Sequence, residues 1–178
     1  MFEYGITVNC SQVAPLAWTR AAETMPWNSA QIYLESNGIM QLPNASLANV
    51  NISFSLSLET NLIRTVSADD FADVPKLTTL DMSYNKLERL NSLIFSKLSR
   101  LQSLDMSGNM LSSFQGRPFA YLENLIELNI ARNLLTTEAL RSDIFIPLRR
   151  LESLSLDGNR LTTLPSELLG AFMNTKFV

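Results

Sequence analysis

Six carboxylates return along the chain at near-regular intervals: Glu35, Glu59, Asp81, Asp105, Glu127 and Asp157. Paired carboxylates can act as the acid and base of glycoside hydrolysis, gather around calcium, or draw in a cationic partner from a distance. The rest of the composition narrows that choice. There is no histidine and a single cysteine, Cys10, which excludes Ser/His/Asp and Cys/His nucleophiles, most zinc sites and a histidine pH switch. Asp81 and Asp105 alone fall short of the roughly six oxygens that calcium requires. No catalytic residue, metal or cofactor is therefore assigned, and the carboxylates read as recognition chemistry.

Their interval belongs to the whole chain. Asn37, Asn61, Asn85, Asn109, Asn133 and Asn159 are separated by 24, 24, 24, 24 and 26 residues, a self-similarity that marks a solenoid. With each asparagine numbered position 9, position 4 reads Ile32, Leu56, Leu80, Leu104, Leu128 and Leu154. Position 6 reads Leu34, Leu58, Met82, Met106, Ile130 and Leu156, and position 11 reads Ile39, Ile63, Leu87, Leu111, Leu135 and Leu161. Position 1 is Leu in the last four copies (Leu77, Leu101, Leu125, Leu151) and Ser in the first two, Ser29 and Ser53. The spacing predicts a short strand over positions 3 to 7, with positions 4 and 6 inward and positions 3, 5 and 7 outward. A buried asparagine then supplies one acceptor and two donors to the turn that follows. One coil buries too little to stand by itself, so the copies must stack.

This pattern, LxxLxLxxNxL in six registered copies, resembles the leucine-rich repeat family over roughly residues 29 to 178. A Phe or Leu six residues before each new position 1 (Leu47, Phe71, Phe95, Phe119, Phe145, Phe172) is similar to the subtype of animal extracellular proteins. Its members include Toll-type receptors, Slit-like guidance proteins and chaoptin-like adhesion proteins. The resemblance implies an α/β solenoid, a horseshoe with a parallel β-sheet on the concave face and loops or short helical turns on the convex face. It divides the chain into the remnant of an N-terminal cap (1–28), six repeats (29–174) and the start of a truncated seventh (175–178), with Val178 at position 1 by the Phe172 spacing. The fifth repeat is two residues longer, through Thr136 to Pro147, and a convex bulge is expected there.

Cys10 is open to two readings: a buried free thiol, or, as the resemblance implies, half of a cap disulfide whose partner lies upstream. With no cap after Val178, the chain is expected to be a fragment of a longer ectodomain, or part of an assembly that covers its end. At 178 residues it fits one domain, and a net charge of −3 without a Lys/Arg cluster argues against nucleic acid as a partner. No apolar run approaches the roughly 18 residues needed to span a membrane. The opening MFEYGITVNC lacks the layout of a secretory signal, which leaves an intracellular protein or a piece of an exported one. Three Asn-x-Ser acceptors, Asn9, Asn44 and Asn51, lie off the asparagine ladder and favour an extracellular or cell-surface location with N-glycans.

Two surfaces are candidates for binding. The concave face carries the carboxylates and no Lys or Arg across the six copies, and Tyr84 and Arg132 at position 8 are residue types enriched in binding hot spots. Asp81, Tyr84, Asp105, Glu127 and Arg132 are therefore taken as the binding set, with the aspartates expected to face solvent. The alternative is a lateral apolar flank of Leu62, Met110 and Leu134 at position 10. The function expected is a non-catalytic protein-binding module of a secreted or cell-surface receptor or adhesion protein, with a protein ligand or co-receptor as partner and innate immunity among the settings its relatives occupy. The alternatives are a structural, self-associating extracellular protein, forming homo-oligomers, or an intracellular scaffold.

Overall fold

The computed structural model describes residues 6–12, 29–42, 47, 54–164 and 176–177. Each copy of the repeat contributes one short strand: β2 (Ser29–Tyr33), β3 (Ser55–Ser57), β4 (Thr79–Asp81), β6 (Ser103–Asp105), β8 (Glu127–Asn129) and β9 (Ser153–Ser155). All pair in parallel with position 4 beside position 4, so Leu56, Leu80, Leu104, Leu128 and Leu154 form one row. β1 (Ile6–Asn9) joins ahead of β2 with Val8 beside Ile32, which extends the sheet one coil into the segment expected as a cap. β5 (Arg89–Leu90) and β7 (Ser113–Phe114) make a second, two-stranded parallel sheet.

The last strand, β10 (Lys176–Phe177), corrects the expected seventh repeat. Phe177 pairs with Leu154 and so occupies position 4, which puts position 1 at residue 174 and not at Val178. Phe172 thus loses the six-residue relation to a new position 1; it lies outside the described residues.

Helix is minimal. Ala68–Phe71 and Thr137–Ala139 are 3-10 turns, and Ser142–Phe145 is a single α-helical turn. The two extra residues of the fifth repeat fall in the segment holding the last two of these, which is how the bulge expected there is accommodated. The conserved-spacing aromatics stack through the convex side: Phe71, Phe95, Phe119 and Phe145 are all at most 1% exposed, with successive ring centroids 6.4, 6.4 and 5.9 Å apart. Such offset aromatic rows add to the area they bury.

The asparagines bind coil to coil. Asn109 is typical: its Nδ2 donates to Met106 O in its own coil and Met82 O in the preceding one, both at 3.0 Å, and its Oδ1 accepts from Leu87 N at 3.0 Å. Asn61, Asn85, Asn133 and Asn159 repeat this geometry, and Asn37 Nδ2 reaches Cys10 O at 2.8 Å. Position 10 adds a second ladder, its N–H donating to the position 11 carbonyl of the previous coil, as from Met110 to Leu87.

Candidate functional site

Strand alternation places position 5 on the concave side, and there the structure shows a use for short acidic and amide side chains. Asp81 Oδ1 accepts from Ser83 N at 2.8 Å, Asp105 Oδ1 from Ser107 N at 2.7 Å, and Asn129 Oδ1 from Ala131 N at 3.1 Å. Asn9 repeats the bond to Ser11 N at 3.0 Å. Each closes an Asx turn over the position 7 amide as the strand ends. Asp81 and Asp105, expected to face solvent freely, are therefore half-buried and tied to backbone, and Asp105 Oδ2 also accepts from Asn129 Nδ2 at 2.8 Å. Glu127, at position 3, is exposed and takes a bond from Ser103 Oγ at 3.3 Å.

Charge on this face is one-sided. Burial pushes the Asp81 carboxyl above its ordinary value; bonds from Ser83 oppose this and the charges of Asp105 and Glu35 add to it. Glu59 is also raised, by burial first and then by Asp81 and Glu35. Positions 3, 5 and 7 of the described coils from β1 to β9 hold no Lys or Arg. Among the described residues no group of three acidic, His or Cys side chains converges to hold a metal ion.

Along the rim runs position 8, where the backbone takes the left-handed conformation in every described coil. Gln12, Ser36, Thr60, Tyr84 and Arg132 have φ of 60, 56, 56, 53 and 53°, and Gly108 and Gly158 have 65 and 63°. This conformation costs an L-residue about 1–2 kcal/mol and glycine almost nothing. Tyr84 nonetheless stands there, 46% exposed. Its ring lies over Gly108, where an added Cβ would fall 2.7 Å from Cδ1, and its Oη accepts from Arg132 Nη1 at 3.3 Å. Arg132 lies in turn against Gly158, its Cγ 3.1 Å from where a Cβ would be. Each glycine makes room for the long side chain of the coil before it.

Tyr84 and Arg132 border a shallow trough of about 410 Å³ whose floor and walls include Glu59, Asp81, Asp105 and Asp157. The structure thus brings together Asp81, Tyr84, Asp105 and Arg132; Glu127 lines a neighbouring depression with Asp105. Of the alternative flank, Leu62 and Met110 are 40 and 41% exposed and Leu134 is half-buried. Lys86 stands between Leu62 and Met110 in the position 10 column, so the apolar surface is interrupted. Cys10, at position 6 of the coil that precedes the first repeat, packs against the core and has no sulfur partner among the described residues. Asn9 is exposed on the concave side, while Asn44 and Asn51 lie outside the described residues. Sequence reasoning missed Gly108, Gly158, Asn129 and Ser57 as parts of this surface. Aligning the copies puts the two glycines in the column of Tyr84 and Arg132, and that was the available signal.

A family model described as leucine rich repeat matches residues 30–87, 55–111, 75–135 and 99–161. No curated protein sequence matches the chain significantly. Among solved structures, a crystal structure of TLR13 in complex with ssRNA13 is similar at 28% identity and a TM-score of 0.77, covering 83% of this chain and 21% of that one. An LRR protein of Leptospira interrogans is similar at 26% identity and a TM-score of 0.72, covering 85% of this chain and 37% of that one. The chain thus spans well under half the length of either.

Proposed function

The chain belongs to the leucine-rich repeat family, whose repeats generally bind proteins, and on that premise we propose that it is a non-catalytic recognition module of a secreted or cell-surface receptor or adhesion protein. The ligand meets the trough and its rim over the third to fifth coils. The observation that carries this reading is the Tyr84–Arg132 pair. Two large side chains occupy left-handed backbone that Gly108 and Gly158 occupy without strain, and they are exposed and bonded to each other across Gly108. Gln12, Ser36 and Thr60 hold the same conformation, so the pair is set apart by its large exposed side chains and their mutual bond, the features of a recognition surface. An aromatic ring and a guanidinium held in place before binding also lose little entropy on contact.

The similar TLR13 structure contains RNA, but the trough here is lined by Glu59, Asp81, Asp105 and Asp157, which repel phosphate. A protein ligand therefore fits better than a nucleic acid. The three sequons, the phenylalanine-bearing repeat type and the toll-receptor likeness support an extracellular setting, innate immunity included.

A photo-crosslinking residue placed at Tyr84 tests the site in the native tissue or its secretions. One defined protein adduct is expected from Tyr84 and none from the exposed convex position Ile146; adducts from both positions alike, or from neither, would refute the proposal. Glycan mass on Asn9, Asn44 or Asn51 of native material tests the location, and its absence from all of them would count against it.

A further inference from the structure

Glu35, Glu59, Asp81 and Asp105 follow one another through the first to fourth repeats, all half-buried, and the ion pairs formed among the described residues, Arg64–Glu88, Arg117–Asp143 and Arg141–Asp143, reach none of them. Ser57 lies in their midst, in register with Asp81 on one side and Tyr33 on the other. Its neighbours Leu56 and Leu58 are 1 and 0% exposed in the core, so alternation turns Ser57 toward the carboxylates. It is 6% exposed, and its Oγ has no hydrogen-bond partner.

Two costs coincide here: like charges without a counter-charge, and a buried hydroxyl without a bond. Burial first, and the repulsion after it, already favours protonation of Glu59 and Asp81. A cation that also donates hydrogen bonds removes both costs. A metal ion is a poor candidate, because no three ligating groups converge among the described residues. An ammonium or guanidinium on a flexible stem suits acceptors spread over strands about 4.8 Å apart.

We propose that the concave face over the first to third repeats, at the N-terminal end of the trough, seats a lysine or arginine side chain of a protein ligand, its cation held by Glu35, Glu59, Asp81 and the Ser57 hydroxyl, with the ligand backbone passing over Tyr84. This names the partner chemistry for the protein-recognition reading above and rests on it. Asn9, if it carries a glycan, stands on the same face two strands away and leaves this stretch open toward the C-terminal coils.

The probe is a fluorescein-labelled peptide of alternating Arg and Ser, compared with its Glu counterpart by anisotropy on the full chain at roughly 20 and 200 mM salt. The Arg peptide is expected to bind and the Glu peptide not to. Glu59→Gln with Asp81→Asn should weaken binding about tenfold at low salt and flatten its salt dependence. The asparagine keeps the acceptor for Ser83 N, as Asn129 does for Ala131, so the fold is retained. Ser57→Ala should weaken binding about threefold without lowering the melting temperature, since it deletes a hydroxyl that bonds nothing. Equal binding of the two peptides, or wild-type affinity in either variant, overturns the seat. Adducts at Tyr84 alongside such a failure would sink this inference alone; loss of the Tyr84 adducts would sink the wider reading.

Discussion

Asn109→Ala measures what the asparagine ladder holds together. The side chain makes four bonds: Nδ2 to Met82 O, Met106 O and Ser107 O at 3.0, 3.0 and 3.3 Å, and Oδ1 from Leu87 N at 3.0 Å. The three carbonyls do not lose everything. Met82 O keeps Asn85, Met106 O keeps Asn133, and Ser107 O keeps Tyr84 N. Leu87 N, however, has only Asn109, and Leu87 is fully buried. One orphaned amide costs about 1–3 kcal/mol, and the doubly used carbonyls add part of another bond, so a loss of about 2–4 kcal/mol is expected. That corresponds to a fall in melting temperature of roughly 4–16 °C for a chain of this size. Asn91 is the control: it is exposed, and its Oδ1 accepts only from Leu93 N at 3.0 Å, so Asn91→Ala should cost under about 0.5 kcal/mol. Urea titration followed by circular dichroism gives both numbers, with hydrogen exchange at Leu87 to show whether the loss is local. Equal costs for the two variants would refute the register and the orphaned-amide account together.

Gly108→Ala should cost about 1–3 kcal/mol through positive φ and the 2.7 Å approach to the Tyr84 ring; in a Tyr84→Ala background urea titration should recover the steric part, and an unchanged cost would mean the ring does not rest there. Asp81→Asn concerns pH. Asp81 has a raised carboxyl in the folded chain, so the native state holds more protons, and its stability falls as pH rises upward from the ordinary value of 3.8. The variant should flatten that fall and gain up to about 1 kcal/mol at neutral pH; a steeper fall in thermal melts across the same window would reverse the sign. Phe119→Ala should cost about 3–5 kcal/mol by opening the aromatic row, against under about 1 kcal/mol for the 43% exposed Tyr121→Ala, both read by urea titration.

The inward half of the fold was legible because burial acts on every copy alike. Positions 4, 6 and 11 must be apolar, position 9 must supply both donors and an acceptor, and six copies reveal the rule by agreement. The seventh strand escaped because its register was counted from a single aromatic, Phe172, with no strand or ladder residue to check it; pairing with Leu154 moved it by four residues. The surface is legible only when each column is compared across the copies. Asp81 and Asp105 were weighed as charges, yet their column also holds Asn9 and Asn129, and an acid and an amide share only a short side-chain acceptor. That common element is the one the Asx turn uses. Charge at position 5 is thus surplus to the fold, since Asn129 closes its turn without any.

The column at position 8 carries the same logic to the opposite result. Gly108 and Gly158 meet the positive φ demanded there at almost no cost, whereas Tyr84 and Arg132, like Gln12, Ser36 and Thr60, adopt it at about 1–2 kcal/mol each. Large exposed side chains, not the strain, set Tyr84 and Arg132 apart in that column. Tyr84 and Arg132 alternate with the two glycines, so each large side chain has an empty neighbour to lie over, and the two meet by a hydrogen bond across Gly108. The same trough borders the carboxylates whose charge the turn does not need. The exposed rim pair and the carboxylates border one trough, and that proximity, more than the identity of any single residue, is why the recognition proposed above is put on the third to fifth repeats.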